Sequence, residues 1–365
     1  MSTLELFSNA SSPDAWHQVG APGGYEWWYF DAEDLSTGTR IVAIFLDGFV
    51  FHPEYLRRYF SYLRCPTRRT PPQPCEYPYA YFAVYRDDKI ISQFMSQFPA
   101  GSMRASTDRP EVNLGPNEMK CDLADRYQLH LEGMPWQGPW RPAGGKLSAD
   151  FTFSSLLPNS AHERGFLSRA MTGAEHRWVI AAPLCEVAGT IRLKSSAGAA
   201  EEIIPFRGRG YHDHNFGTGP LGPGLKRWMW GRLLLEDRAL TFHLVEPRDA
   251  KLAMETHLIE ADVAGVRERM DQAWSFQGSR RTATGLIYPE RVSFGDLLTL
   301  SDPKVVDATP FYIRLSYSAR LSGRPVAPAF CEVAYPHRLR WPMLGRMIEL
   351  SIHREMSQPE IMAGK

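Results

Sequence analysis

Tyr79-Ala80-Tyr81-Phe82-Ala83-Val84-Tyr85 is the stretch that decides how this chain is read. Its three tyrosines fall at odd positions, so in an extended backbone they share one face of a strand. Other apolar segments are similarly short and bounded by Gly, Pro, Asn or Asp: Trp27–Phe30, Ile41–Phe51, Leu147–Phe153, Glu186–Leu193, Leu240–Glu246, Phe311–Ser318 and Phe330–Tyr335. That is the signature of strands. Helical candidates are few, namely Pro53–Leu63 and Asp262–Gln272. With 28 Pro and 29 Gly distributed over 365 residues, the pattern predicts a mainly β protein, antiparallel and of sandwich or barrel type, with few short helices.

Composition narrows the function classes. Hydrophobic residues make up 44% and charged residues 22%, which excludes disordered, collagenous and coiled-coil chains. Lys+Arg and Asp+Glu both number 41, for a formal net charge of zero. A nucleic-acid binder would carry a basic excess or stripe, so no nucleic-acid partner is expected. Five cysteines with no C-x-x-C pair argue against a disulfide framework and for a reducing compartment. The start, MSTLELFSNASSPDAW, has no basic and apolar regions of a signal peptide, and no run of 18 apolar residues occurs. A cytoplasmic protein is expected, with peripheral membrane contact left open. Two loops interrupt the strands. Arg64–Tyr77 is rich in Pro and Arg, and Lys194–Glu202 is small and polar. The latter divides the chain into expected domains 1–200 and 201–365.

Four segments carry candidate chemistry. In Gly24–Asp31 (GYEWWYFD), Glu26, Trp28 and Phe30 face one way and Tyr25, Trp27, Tyr29 and Asp31 the other. Packing between two layers explains such a strand, and so does the wall of an apolar pocket with Glu26 as its polar group. In Arg207–Gly217 (RGRGYHDHNFG), an extended backbone puts Tyr211, Asp213 and Asn215 on one side and His212 and His214 on the other. The competing reading is a loop whose Asp and Asn satisfy backbone donors. Lys226–Arg232 (KRWMWGR) places Trp228 and Trp230 on one face, where a π-rich wall could stabilise a passing positive charge. His176–Pro183 contributes Trp178. His212 and His214 lack an H-E-x-x-H context, a Cys cluster or a carboxylate at ligand spacing, so no metal is expected. Nucleotide, kinase and serine-hydrolase motifs are missing, and no cofactor is expected.

Together and in this order, these stretches resemble the carotenoid 1,2-hydratase family, also called hydroxyneurosporene synthase. That family belongs to the AttH-like, lipocalin-like superfamily, which fungal decalin-forming Diels–Alderases also resemble. The resemblance implies two lipocalin-like β domains with an apolar cavity near their junction. It places the catalytic acid on Asp213, with Tyr211 beside it, and an aromatic wall on Trp178. The chain departs from the family in having His212 and His214 where Leu and Ser are usual, and Trp178-Val179-Ile180 where Trp-Trp-Pro is usual.

Hydrating an isolated alkene requires its protonation to a tertiary cation, by a carboxyl that an apolar pocket keeps protonated. Aromatic faces then contribute about 0.5–2 kcal/mol each to the cation. The expected activity is therefore a cofactor-independent hydratase or cyclase of a hydrophobic terpenoid or polyene. Asp213 donates the proton, Tyr211 orients it, and Glu26 is a second acid or water-orienting base. Trp178, Trp228, Trp230, Trp28, His212, His214 and Asn215 are the expected substrate contacts. A pericyclase of natural-product biosynthesis and a non-catalytic lipophile carrier are the alternatives. Oligomeric state is not read from the sequence.

Overall fold

Alternation along the strands becomes pairing in two large sheets, each curled into a half-barrel. The computed structural model describes residues 12–123, 125–136, 144–157, 165–168, 175–195, 200–222 and 224–356. The first sheet contains β1 (Tyr25–Asp34), β2 (Thr39–Asp47), β3 (Pro78–Arg86), β4 (Lys89–Gln97), β5 (Arg104–Ala105), β6 (Glu111–Leu114), β7 (Asn117–Cys121), β8 (Arg126–Gly133), β9 (Lys146–Ser155), β10 (Gly165–Ser168), β11 (His176–Lys194) and β12 (Glu202–Gly217). Their order is β4-β3-β2-β1-β12-β11-β9-β8-β7-β6-β5, with β10 beside β11.

The second sheet uses β13 (Leu225–Leu234), β14 (Arg238–Pro247), β15 (Glu255–Asp262), β16 (Gly265–Glu268) and β17 (Trp274–Gln277). After a small ribbon of β18 (Arg280–Arg281) and β19 (Ile287–Tyr288), it continues with β20 (Arg291–Phe294), β21 (Leu298–Ala308), β22 (Tyr312–Leu321) and β23 (Arg324–Ala334). The order is β16-β15-β14-β13-β23-β22-β21-β20-β17. A final short strand, β24 (His353–Arg354), lies parallel to β4 at the edge of the first sheet. The chain passes from one sheet to the other between Gly217 and Leu225. β11 and β12, on either side of the segment where the sequence reading put its division, are neighbours in one sheet.

The deciding stretch behaves as its alternation requires. Ala80, Phe82 and Val84 of β3 enter the core inside the first half-barrel, while Tyr81 and Tyr85 enter the core between the two sheets. Two buried arginines tie that junction together. Arg232 of β13 donates through Nε to Asp31 Oδ1 of β1 at 2.8 Å and pairs with Glu33 at 3.1 Å. Arg314 of β22 donates to Tyr81 Oη and Tyr85 Oη of β3 at 2.7 and 2.6 Å. Such charges are tolerable in a core only because they are paired and hydrogen-bonded.

Helix α1 (Pro53–Arg64) lies where the sequence placed one, starting with Pro at its first turn and with the His52 side chain accepting from Tyr55 N. Asp262–Gln272 is not helical. It is the turn and return strand of the β15–β16 hairpin, where Gly265 takes φ +116° and the Asp262 side chain accepts from Ala264 N. Neither feature can be continued in a helix. A second helix, α2 (Pro342–Ser351), was not anticipated; it buries Leu344 and Ile348, one turn apart.

Candidate active site

Strand register assembles the site. β12 runs between β1 and β11, so Asp213 pairs with Tyr29 and Ile180, and Asn215 with Trp27 and Trp178. The odd-numbered residues of β1 and β12 thus share the face turned toward the second sheet. Close packing here demands glycine: a Cβ on Gly217 would lie 2.5 Å from the Tyr25 ring and 2.7 Å from Glu175 O.

Asp213 is buried on this face and accepts three hydrogen bonds. Trp178 Nε1 and Tyr211 Oη donate to Oδ2 at 2.8 and 2.9 Å, and Asn215 Nδ2 donates to Oδ1 at 2.8 Å. In front of it lies a cavity of about 50 Å³, walled by Trp27, Tyr29, His176, Trp178, Asn215, Trp228, Trp230, His243 and Glu332. Trp27, Tyr29, Trp228 and Glu332 also line a second cavity of about 470 Å³. That larger space is bounded mostly by apolar side chains, among them Ile44, Phe51, Tyr81 and Phe311, and it reaches Leu344, Met347 and Leu350 of α2. Through these shared walls the larger space adjoins the cavity in front of Asp213.

Electrostatics favour an acid at this position. Burial pushes the Asp213 carboxyl up to about 7, and the negative charge of Glu332 adds to this, against the hydrogen bonds from Trp178 and Tyr211. Burial also pushes His176 down to about 3 and His243 well below its ordinary range, so both imidazoles are neutral. His176 Nδ1 lies 2.7 Å from Tyr25 Oη. Glu332 Oε1 accepts from Arg314 Nε at 3.0 Å and from Tyr29 Oη at 3.2 Å, which fixes it in the wall common to both cavities. Trp230 Nε1 is buried without a hydrogen-bond partner among the described residues. The Trp230 side chain lines the cavity in front of Asp213.

Of the residues singled out from the sequence, Asp213, Asn215, Trp178, Trp228 and Trp230 meet in this cavity, with Tyr211 packed behind the acid. Glu26, Trp28, His212 and His214 do not line either cavity. As even-numbered residues of β1 and β12 they point into the first half-barrel. There His212 Nε2 lies 3.1 Å and Tyr127 Oη 2.7 Å from Asp14 Oδ2, and the Trp28 ring stacks on His214. His17, Glu26 and His214, whose ligand-type atoms lie within 4.8 Å of one another, lie on that inner face as well. Trp27, Tyr29, His243, Arg314 and Glu332 were not named as site residues. Three of them carry a readable signal: His243, Arg314 and Glu332 are isolated polar residues inside the apolar strand segments Leu240–Glu246, Phe311–Ser318 and Phe330–Tyr335.

Residues 83–359 match the model of the family described as carotenoid hydratase CrtC. Among curated proteins, the hydroxyneurosporene dehydrogenase of Chlorobaculum tepidum is 32% identical over 319 residues, covering 86% of this chain and 81% of that protein. The acyclic carotenoid 1,2-hydratase of Thiocapsa roseopersicina is 25% identical over 322 residues, covering 83% of this chain and 66% of that protein. Among solved structures, an AttH-type protein of Nitrosomonas europaea shares the fold with a TM-score of 0.61. It is 18% identical, and the match covers 89% of this chain and 96% of that one.

Proposed function

Because the chain belongs to the carotenoid hydratase CrtC family, we propose that it adds water to the terminal alkene of an acyclic terpenoid polyene, with Asp213 as the proton donor. One observation carries this reading: a buried carboxyl, met only by neutral donors, faces an aromatic cavity that continues into a larger apolar one.

The polyene lies along the larger cavity with its end against Asp213. The Asp213 O–H proton is transferred to the less substituted alkene carbon, whose π electrons form the new C–H bond. A tertiary cation results, bounded by Trp27, Trp178, Trp228 and Trp230, each ring supplying about 0.5–2 kcal/mol. His176 and His243, being neutral, do not oppose that charge. Water held between Trp230 Nε1–H and the Glu332 carboxylate adds through oxygen, and its surplus proton leaves to Glu332. Glu332 returns that proton to Asp213 across the cavity both line, so one water is consumed and nothing is oxidised or reduced. Positioning and a preorganised polar environment supply the rate.

A substrate of this class resides in lipid, and α2 gives the cavity a lipid-facing rim. Met343, Met347 and Leu350 are 73%, 50% and 66% exposed there, an apolar fringe suited to the membrane interface. Among the described residues no helix is long and apolar enough to cross a membrane. We place the protein at a membrane surface, contacting it through this rim.

Incubating the purified enzyme with an acyclic carotenoid in heavy-oxygen water tests the proposal. A product heavier by one labelled water, lost in Asp213→Asn, is the expected result. An isomer of unchanged mass would replace hydration by cyclisation. Recovery of bound, unaltered polyene after long incubation would leave a carrier.

A further inference from the structure

The inner face of the first sheet holds a polar cluster that the proposed reaction does not use. His17 lies on the segment preceding β1, Glu26 on β1 and His214 on β12, and all three are buried. Their ligand-type atoms lie within 4.8 Å of one another. His17 Nδ1 is 3.0 Å and His214 Nε2 is 2.9 Å from Glu26 Oε1, which also accepts from the His17 backbone N–H at 2.7 Å. Two ligands at the tetrahedral angle about 2.1 Å from one zinc ion are themselves about 3.4 Å apart, so these separations need to open by only a few tenths of an ångström to admit one.

Hydrogen bonding alone leaves this cluster poorly satisfied. Glu26 Oε2, Asp14 Oδ1 and His214 Nδ1 are buried without a hydrogen-bond partner among the described residues. Native cores leave only a few such atoms per hundred residues, and here three sit in one cluster. His214 Nδ1 faces Asp14 Oδ1 at 3.5 Å, the position from which an outer carboxylate orients a metal-bound imidazole. The rings are held in place by stacking, His17 on Phe216 at 3.8 Å and His214 on Trp28 at 4.5 Å.

We propose that His17, Glu26 and His214 form a binding site for one divalent transition-metal ion, with Asp14 as the outer carboxylate. Two imidazoles and a carboxylate are the donor set of Zn²⁺ and its first-row neighbours. A doubly charged ion balances the two buried carboxylates, Glu26 and Asp14, that otherwise meet in one core. It also clips the segment carrying His17 to β1 and β12. The site lies across β12 from Asp213, so its role is structural and its existence independent of the reaction proposed above. Sequence spacing conceals it, because the three ligands are assembled from residues 17, 26 and 214.

The test uses the full chain without a histidine tag, stripped by chelator and titrated with Zn²⁺ alone, then with Co²⁺ for its visible spectrum. One equivalent bound per chain, a rise in the thermal midpoint and a Co²⁺ absorption band characteristic of nitrogen and oxygen ligands are expected. Asp14→Asn should weaken Zn²⁺ binding about 10–100-fold, the loss typical of an outer carboxylate. Glu26→Gln should abolish stoichiometric uptake. If Glu26→Gln does not fold, His17→Gln, outside the sheets, replaces it with the same expectation. A folded wild type that takes up no Zn²⁺, or folded ligand variants that take up as much as wild type, would overturn the proposal.

Discussion

Replacing Asp213 by Asn tests the acid through a property that needs no substrate. Burial holds this carboxyl at about 7, against 3.8 in an unstructured chain. The unfolded chain therefore ionises first. Stability from this group is intact below the lower value, declines as pH rises between the two, and is lost once pH passes about 7. From about pH 5 to about pH 7 the decline is about 2.7 kcal/mol, at 1.36 kcal/mol per unit. Asn does not titrate, so the variant lacks that slope. Its amide NH₂ must also face one of the donors from Trp178, Tyr211 or Asn215, a loss of about 1–3 kcal/mol that does not depend on pH. Asp47, which burial also raises to about 7, contributes equally to both proteins and cancels. Urea unfolding followed by tryptophan fluorescence at about pH 5 and about pH 8 should thus show the variant gaining about 2.7 kcal/mol on wild type at the higher pH. Parallel pH dependences would refute the reasoning. In turnover, Asp213→Asn should lose about 10²–10⁴-fold. Wild-type activity should be present at low pH and fall as pH passes about 7.

Trp178→Phe keeps an aromatic face but removes a hydrogen bond to the carboxylate worth about 1.5–3 kcal/mol. The alkaline limb of the pH–rate profile should then move upward by about one to two units, and an unmoved limb would detach Trp178 from the acid. Arg232→Met leaves Asp31 buried without its counter-ion, while Glu33 keeps Arg40 at 3.3 Å; the change should cost about 3–5 kcal/mol, read as a lowered unfolding midpoint in urea. Met343→Glu, at an exposed position on α2 outside both cavities, should leave stability within about 0.5 kcal/mol. It should also reduce co-flotation with lipid vesicles, and undiminished flotation would remove α2 from the membrane contact.

The parts of the fold that were legible are those governed by the two-residue period. Tyr81 and Tyr85 separate from Phe82, and Asp213 from His212 and His214, because a paired strand enforces alternation whatever its neighbours. The period says which residues share a face, but not what that face meets. β1 is aromatic on both faces, so Glu26 and Trp28 could be grouped with Asp213 until pairing with β12 showed them on opposite sides. The segment 194–202 has the composition of a linker, yet the strand that follows it pairs back onto β11. Glu332 and His243 come from strands far along the chain, and only the packing of one sheet on the other brings them to Asp213. The segment 262–272 carries charges that suit an exposed helix as well as an exposed hairpin, and Gly265 decides between them.

Burial by itself does not make a proton donor, and the two faces of β12 show why. Asp213, Glu26 and Asp14 are all buried carboxyls. For Glu26 and Asp14 the upward push of burial is overcome, for Glu26 by hydrogen bonds from His17 and His214 and for Asp14 by the charge and hydrogen bond of His212, so both lie below the ordinary carboxyl range. Both are thus held ionised, with no proton to give an alkene. Asp213 is instead met by an indole N–H, an amide N–H and a phenol that burial holds well above 10. None of these can take its proton, so burial wins and the carboxyl stays protonated near neutrality. What distinguishes the acid is thus its partners: hydrogen-bond donors that orient it without neutralising its acidity, set on the one face of the strand that looks onto aromatic carbon.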